Sequence, residues 1–106
     1  METGGPNPLR DLFDAAARQR TVKLTCRRCR HATSFAAAAL WWLFERNGWR
    51  DGFADVRKRC ICVYCLHRLG EKIRNPEFEL TQEAPLDRRY PMPSELDWKR
   101  ELRRRR

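Results

Sequence analysis

Four of the five cysteines in this 106-residue chain fall into two C-x2-C pairs, Cys26/Cys29 and Cys62/Cys65, with 32 residues between the pairs. This spacing constrains the fold more than any other feature of the sequence. A chain this short has a marginal core, and small chains commonly add a metal or disulfides to compensate. Two residues between cysteines form a turn that points both sulfurs at one ion, about 2.3 Å from each. Two such turns supply four thiolates and close a tetrahedral shell, so the site reads as structural rather than catalytic. Cys26, Cys29, Cys62 and Cys65 are therefore the expected ligands of one structural Zn2+. The halves also match beyond the sulfurs, because each reads C-x-x-C-x-H, ending in His31 and His67.

Competing readings of the same residues follow from the same chemistry. Four thiolates also accept a rubredoxin-like iron, although cations flanking the sulfurs are not expected of such an electron carrier. A redox C-x-x-C places a helix directly after its first cysteine, whereas the residues flanking both pairs read as strand. Cys60 offers a C-x4-C alternative to Cys62, but the repeated two-residue spacing favours Cys62 and leaves Cys60 as a buried small residue or free thiol. His31 and His67 stand as substitute ligands.

Three segments are expected: an N-terminal segment with a helix (1–20), a metal-binding module (21–74) and a Pro-rich charged tail (75–106). Residues 1–6 read as disordered. Asn7 caps a helix over 8–19, with Pro8 at its first position. Thr21–Thr25 alternates as a strand, and Arg30–Thr33 returns as a second. Ser34 caps a helix from Phe35 to Arg46 that Asn47-Gly48 stops, with Trp49 folding back on Phe44. Asp51 caps a short helix through Phe53 and Val56. Arg57–Ile61 reads as a strand into the second pair, and Leu66–Ile73 as a strand or irregular segment interrupted by Gly70. Beyond Asn75, four prolines break a charged segment that reads as extended and partly disordered. Ser94 then caps a short helix to Leu102, with Asp97 placed as its partner.

On these motifs, residues 21–67 resemble a zinc ribbon, in which two C-x-x-C turns sit on short β-hairpins. The helical insert also resembles short bacterial proteins of unassigned function with a helix between two C-x-x-C pairs. The resemblance implies an α+β fold, a small zinc-ribbon-like module with a helical insert and an N-terminal helix. Glycine commonly follows the second cysteine of such a turn; here Arg30 and Leu66 do.

The net charge of +9 is unevenly placed. Residues 1–17 carry −2, residues 18–74 carry fourteen Lys/Arg against four acids, and residues 75–106 carry eight against seven. Two triplets flank the cysteine pairs, Arg27/Arg28/Arg30 and Arg57/Lys58/Arg59. If the pairs converge, six cations share one end of the module, enough for salt-dependent contact with phosphates. His31 and Tyr64 offer ring faces for stacking, and Arg103–Arg106 a basic arm.

Phe35–Phe44 is apolar around nearly its whole circumference, whereas a surface helix shows one apolar stripe. Trp41 and Trp42 point about 100° apart, so either the two ends of the chain wrap the second side or a protein partner or second copy does. The run is too short to span a bilayer. Without a basic and apolar leader, the chain reads as cytoplasmic, where disulfides are disfavoured. No nucleophile–base pair and no glycine-rich phosphate loop is present, so neither an enzyme nor a small-molecule substrate is expected. The expected function is nucleic-acid binding through the basic triplets; the alternative is a protein-interaction adaptor using residues 35–46 and the tail.

Overall fold

In the computed structural model, which describes residues 9–105, the first helix is α1 (Leu12–Ala17). It is shorter than expected. Asp11 is extended (φ −149°, ψ 176°) and caps it, its carboxylate accepting from the Asp14 N–H at 2.9 Å. Leu12 N–H donates to the Asp51 carbonyl at 3.0 Å, which ties the helix start to a distant loop. Asn7, Pro8 and the segment 1–6 lie outside the described residues. Gln19, at φ 55°, turns the chain out of the helix.

β1 (Thr21–Thr25) runs through the middle of a three-stranded antiparallel sheet, between β2 (Ala32–Ala36) and β3 (Glu77–Thr81). The register pairs Val22 with Phe35 and Leu80, and Leu24 with Thr33 and Phe78. Partners across a strand share a face, so Val22, Leu24, Phe35, Phe78 and Leu80 gather on one side and Lys23, Ser34 and Glu79 on the other. The expected Arg30–Thr33 strand is displaced towards the C-terminus. Ser34 caps no helix: it pairs with Lys23, and its Oγ and carbonyl accept from the Leu86 and Asp87 N–H groups at 2.9 and 2.8 Å. The ladder runs on because Phe35 buries opposite Val22.

α2 (Ala37–Asn47) follows β2 directly, its first N–H donating to the Arg20 carbonyl at 3.0 Å. Gly48 takes the left-handed position (φ 68°) and Trp49 folds back, its N–H on the Phe44 carbonyl and its ring edge-on to Phe44 at 5.2 Å. The sequence reading of this stop holds. α3 (Phe53–Arg59) starts at Gly52, and Asp51 caps α1's side instead, accepting from the Phe13 N–H. The expected strand over Arg57–Ile61 is absent. Asp55 in the first turn and Arg57, Lys58 and Arg59 in the last complement the helix dipole, so the helix continues; Ile61 keeps one isolated bridge, to Arg74.

α4 (Val63–Leu69) replaces the strand expected over Leu66–Ile73. Gly70 does not interrupt an extended segment but ends this helix at φ 67°. Residues 75–106, read as a tail, contribute β3 and α5 (Glu95–Arg104), with Ser94 as N-cap accepting from the Asp97 N–H as expected.

α5 explains the all-round apolar helix. Trp98 stacks on Phe13 at 5.0 Å and meets Trp41 edge-on at 5.3 Å, while Phe13 meets Trp41 at 5.8 Å. Trp41 is 1% exposed. The expectation that Trp41 binds a partner is thus corrected: the two ends of the chain cover it. Trp42 is half-buried, with the Arg46 guanidinium over its ring. Arg104 and Arg105 hold the buried Glu101, and Arg105 also lies over Phe13 at 4.0 Å, so these two arginines anchor α5 rather than forming a loose arm; Arg106 lies outside the described residues. Among the described residues no helix is long and apolar enough to cross a membrane.

Candidate metal centre and basic face

The turn between β1 and β2 carries the first pair. Arg30 N–H donates to the Cys26 carbonyl and Cys26 N–H to the His31 carbonyl, at 3.0 and 2.9 Å. Arg30 sits at φ 65°, the left-handed conformation that glycine usually supplies after the second cysteine. The departure in sequence therefore leaves the turn intact. Within it, the N–H groups of Arg28 and His31 donate to the sulfurs of Cys26 and Cys29, both at 3.4 Å.

The second pair is built differently. Cys62 is the N-cap of α4, its sulfur accepting from the Cys65 N–H at 3.4 Å. Two hairpin turns were expected; one hairpin turn and one helix start are found. Cys62 is an acceptable cap because its sulfur takes up a helix-start N–H that has no partner within the helix.

The four sulfurs all lie within 4.8 Å of one another. Two contacts run between the pairs, Cys26–Cys65 at 3.8 Å and Cys29–Cys62 at 3.6 Å. A regular tetrahedron with metal–sulfur bonds of about 2.3 Å has edges of about 3.8 Å, so these sulfurs are positioned to hold one metal ion. Cys60 is not among them; it is half-buried and burial pushes its thiol up to about 11. Neither His31 nor His67 joins the cluster. The His31 ring instead packs on Tyr64 at 4.8 Å, linking the two halves beside the sulfurs.

The helix after Cys62 removes the argument from flanking strands against a redox pair. For the Cys62/Cys65 pair, electrostatics supplies another. A redox nucleophile needs a lowered thiol, yet burial drives Cys62 upwards and pushes Cys65 to about 12, helped by the neighbouring sulfurs. On the hairpin side, burial opposes ionisation of Cys26, but the N–H groups of Cys29 and Arg28 outweigh it and hold the thiol near 6. Several thiolates this close repel one another unless a cation sits between them.

The basic triplets do come together, through residues 71–77. Arg27 Nε donates to the Asn75 carbonyl at 2.6 Å, and Asn75 N–H to the Arg57 carbonyl at 3.2 Å. The same segment neutralises two of the three cations of the first triplet: Arg28 pairs with Glu71, and Arg30 with Glu77 at 3.0 Å. Arg30 correspondingly holds the Glu77 carboxyl below its ordinary value. Arg27, Arg57, Lys58 and Arg59 make no ion pair among the described residues. Arg59 lies 4.1 Å above the Trp49 ring. Sequence reasoning missed Arg50 and Arg74, which border the same depression as Lys58 and Arg59; both sit in segments read as connectors, and only the tertiary fold brings them there.

Comparison with protein families, curated proteins and solved structures finds no match for this chain.

Proposed function

We propose that this chain is a small structural-zinc protein that binds nucleic acid through the basic face beside its metal centre. The observation that carries the reading is the four-sulfur cluster, two of whose edges match a tetrahedral thiolate site, with cations alongside that make no ion pair among the described residues. Zinc is read over iron because cations flanking the sulfurs are not expected of a rubredoxin-like electron carrier. Four thiolates fill the shell and leave no position for substrate or water, so the metal's role is to hold the hairpin against α4 rather than to catalyse.

The working surface of this proposal is narrower than the two triplets. Arg28 and Arg30 are committed to Glu71 and Glu77, which leaves Arg27, Arg57, Lys58 and Arg59, joined by Arg50 and Arg74. The His31–Tyr64 ring pair offers a stacking platform at the same end.

The test is binding of zinc-loaded protein to short single- and double-stranded probes across a salt series. Four to six phosphate contacts give a log–log salt slope of about −3 to −5. Reversing Arg57, Lys58 and Arg59 to glutamate should abolish binding at moderate salt while zinc content stays at one per chain. Binding unaltered by the reversal, or absent even at low salt, defeats the nucleic-acid reading and leaves the metal reading to stand on metal analysis alone.

A further inference from the structure

Between the sheet, α2 and the α3–α4 connection lies a cavity of about 460 Å³ whose apolar walls the proposed nucleic-acid face does not use. Its walls are mostly apolar, formed by Leu24, Phe35, Leu43, Phe44, Trp49 and Tyr90 among others. A strap at residues 86–90 closes one side. It is held on β2 by the two hydrogen bonds to Ser34 and by Tyr90 packed on Phe35 at 5.5 Å. The volume falls in the range of small-molecule sites.

The charged side chains at the cavity are mostly cations, and the sulfurs of Cys26, Cys60 and Cys62 also reach its wall. Arg27, Arg59 and Arg74 line it with no carboxylate partner among the described residues. The lining acid, Asp87, is already engaged by Arg89 at 2.6 Å. On the far side of the Trp49–Arg59 stack a second depression of about 480 Å³ adjoins the first, bordered by Arg50, Lys58, Arg59 and Arg74 against the single acid Asp55. Trp49, Arg59 and Arg74 belong to both. The apolar chamber thus shares a cationic wall with a second, basic depression.

We propose that the cavity binds a small amphipathic anion, its apolar body against Phe35, Leu43 and Phe44 and its carboxylate, sulfonate or phosphate head at Arg59 and Arg74. Charge complementarity argues against a cationic or neutral occupant. The depth of apolar wall argues against a nucleobase, which needs donors and acceptors at its edge. The ligand's apolar body contacts residues that the nucleic-acid face does not use, but both readings draw on Arg27, Arg59 and Arg74.

The test uses the full-length zinc-loaded chain. Anilinonaphthalene sulfonate, an apolar ring system with one anionic group, is titrated by fluorescence, and decanoate and decan-1-ol are then added as competitors. Saturable one-to-one binding is expected, displaced by decanoate and at least tenfold less well by the alcohol. Arg59→Glu with Arg74→Glu should weaken decanoate at least tenfold. Leu43→Trp, which fills the chamber from α2, should abolish binding while far-ultraviolet circular dichroism and zinc content hold. The proposal is overturned if the alcohol competes as well as decanoate or if Leu43→Trp binds normally. It is also overturned if a single-stranded oligonucleotide displaces the probe where decanoate does not, or if probe binding disappears with protein concentration as a dimer forms by sedimentation.

Discussion

The two cysteine pairs share a spacing and almost nothing else. Cys26 and Cys29 sit in a strand-to-strand turn that needs a residue at φ 65° to close; Cys62 and Cys65 sit on the first turn of a helix that needs none there. In both, a backbone N–H donates to the first sulfur of the pair at 3.4 Å. C-x-x-C therefore specifies where two sulfurs point, not which secondary structure presents them. The halves differ in charge too. The hairpin holds Cys26 near 6, ready to ionise, while the helix half drives Cys62 and Cys65 upwards.

The largest way to break this comparison is to remove a ligand from each half. Structural zinc contributes roughly 10–16 kcal/mol in small modules, comparable with the whole stability of a domain. Cys26→Ser and Cys65→Ser, both at buried sulfurs, should lose zinc and the folded circular-dichroism spectrum together. Cys29→Ser, at the exposed corner, should retain weakened metal, because water can reach the place of the missing sulfur. Equal loss in all three variants would show that exposure does not grade the ligands.

Acid should act chiefly on the helix half. Metal ligation requires thiolates, and the Cys62 and Cys65 thiols stand above their ordinary value in the metal-free protein. Metal must expel their protons, so affinity rises with pH and falls as pH drops, by about tenfold per pH unit for each proton released. Chelator competition between about pH 6 and 8 measures this slope. A flat profile would mean that the protons have already left.

Smaller effects sharpen the contrast in backbone. Arg30→Gly should be more stable than Arg30→Ala by about 1 kcal/mol, since both lose the Glu77 pair and only glycine relieves the left-handed conformation. At the end of α4 the sign inverts. Gly70 has φ 67° and open space around its α-carbon, so Gly70→Ala should cost about 1 kcal/mol through conformation alone. Thermal melts of the zinc-loaded variants resolve both.

How much of this was legible in the sequence depended on whether the signal was local. β1, the Gly48 stop with Trp49 folded back and the Ser94 cap were readable because neighbours within a few residues determine them. The α4 start was obscured by the hairpin habit of C-x-x-C, although Leu66–Leu69 followed by Gly70 is a helix ending. Glu77–Thr81 did alternate Phe78 and Leu80 against Glu77 and Glu79, but the surrounding prolines and charges disguised a strand whose partner lies far away in the chain. The metal cluster was legible in full as residues, and its pairing of Cys26 with Cys65 was not, because that depends on how two dissimilar elements meet. The thinning of the first basic triplet by Glu71 and Glu77 was likewise invisible until the fold set those acids beside it.

The placement of β3 on the far edge of β1 has a kinetic side. Thr25 and Glu77 pair across about 50 residues of chain, a long search for a short strand. With a metal holding Cys26 against Cys65, only about a dozen residues separate the bound sulfur from β3, which lowers the loop-closure cost by about 1 kcal/mol. Metal bound early would act as a shortcut, letting the last strand find its register in a chain already drawn into a tight loop. Refolding started with zinc present should then complete the sheet severalfold faster than refolding in which zinc arrives late.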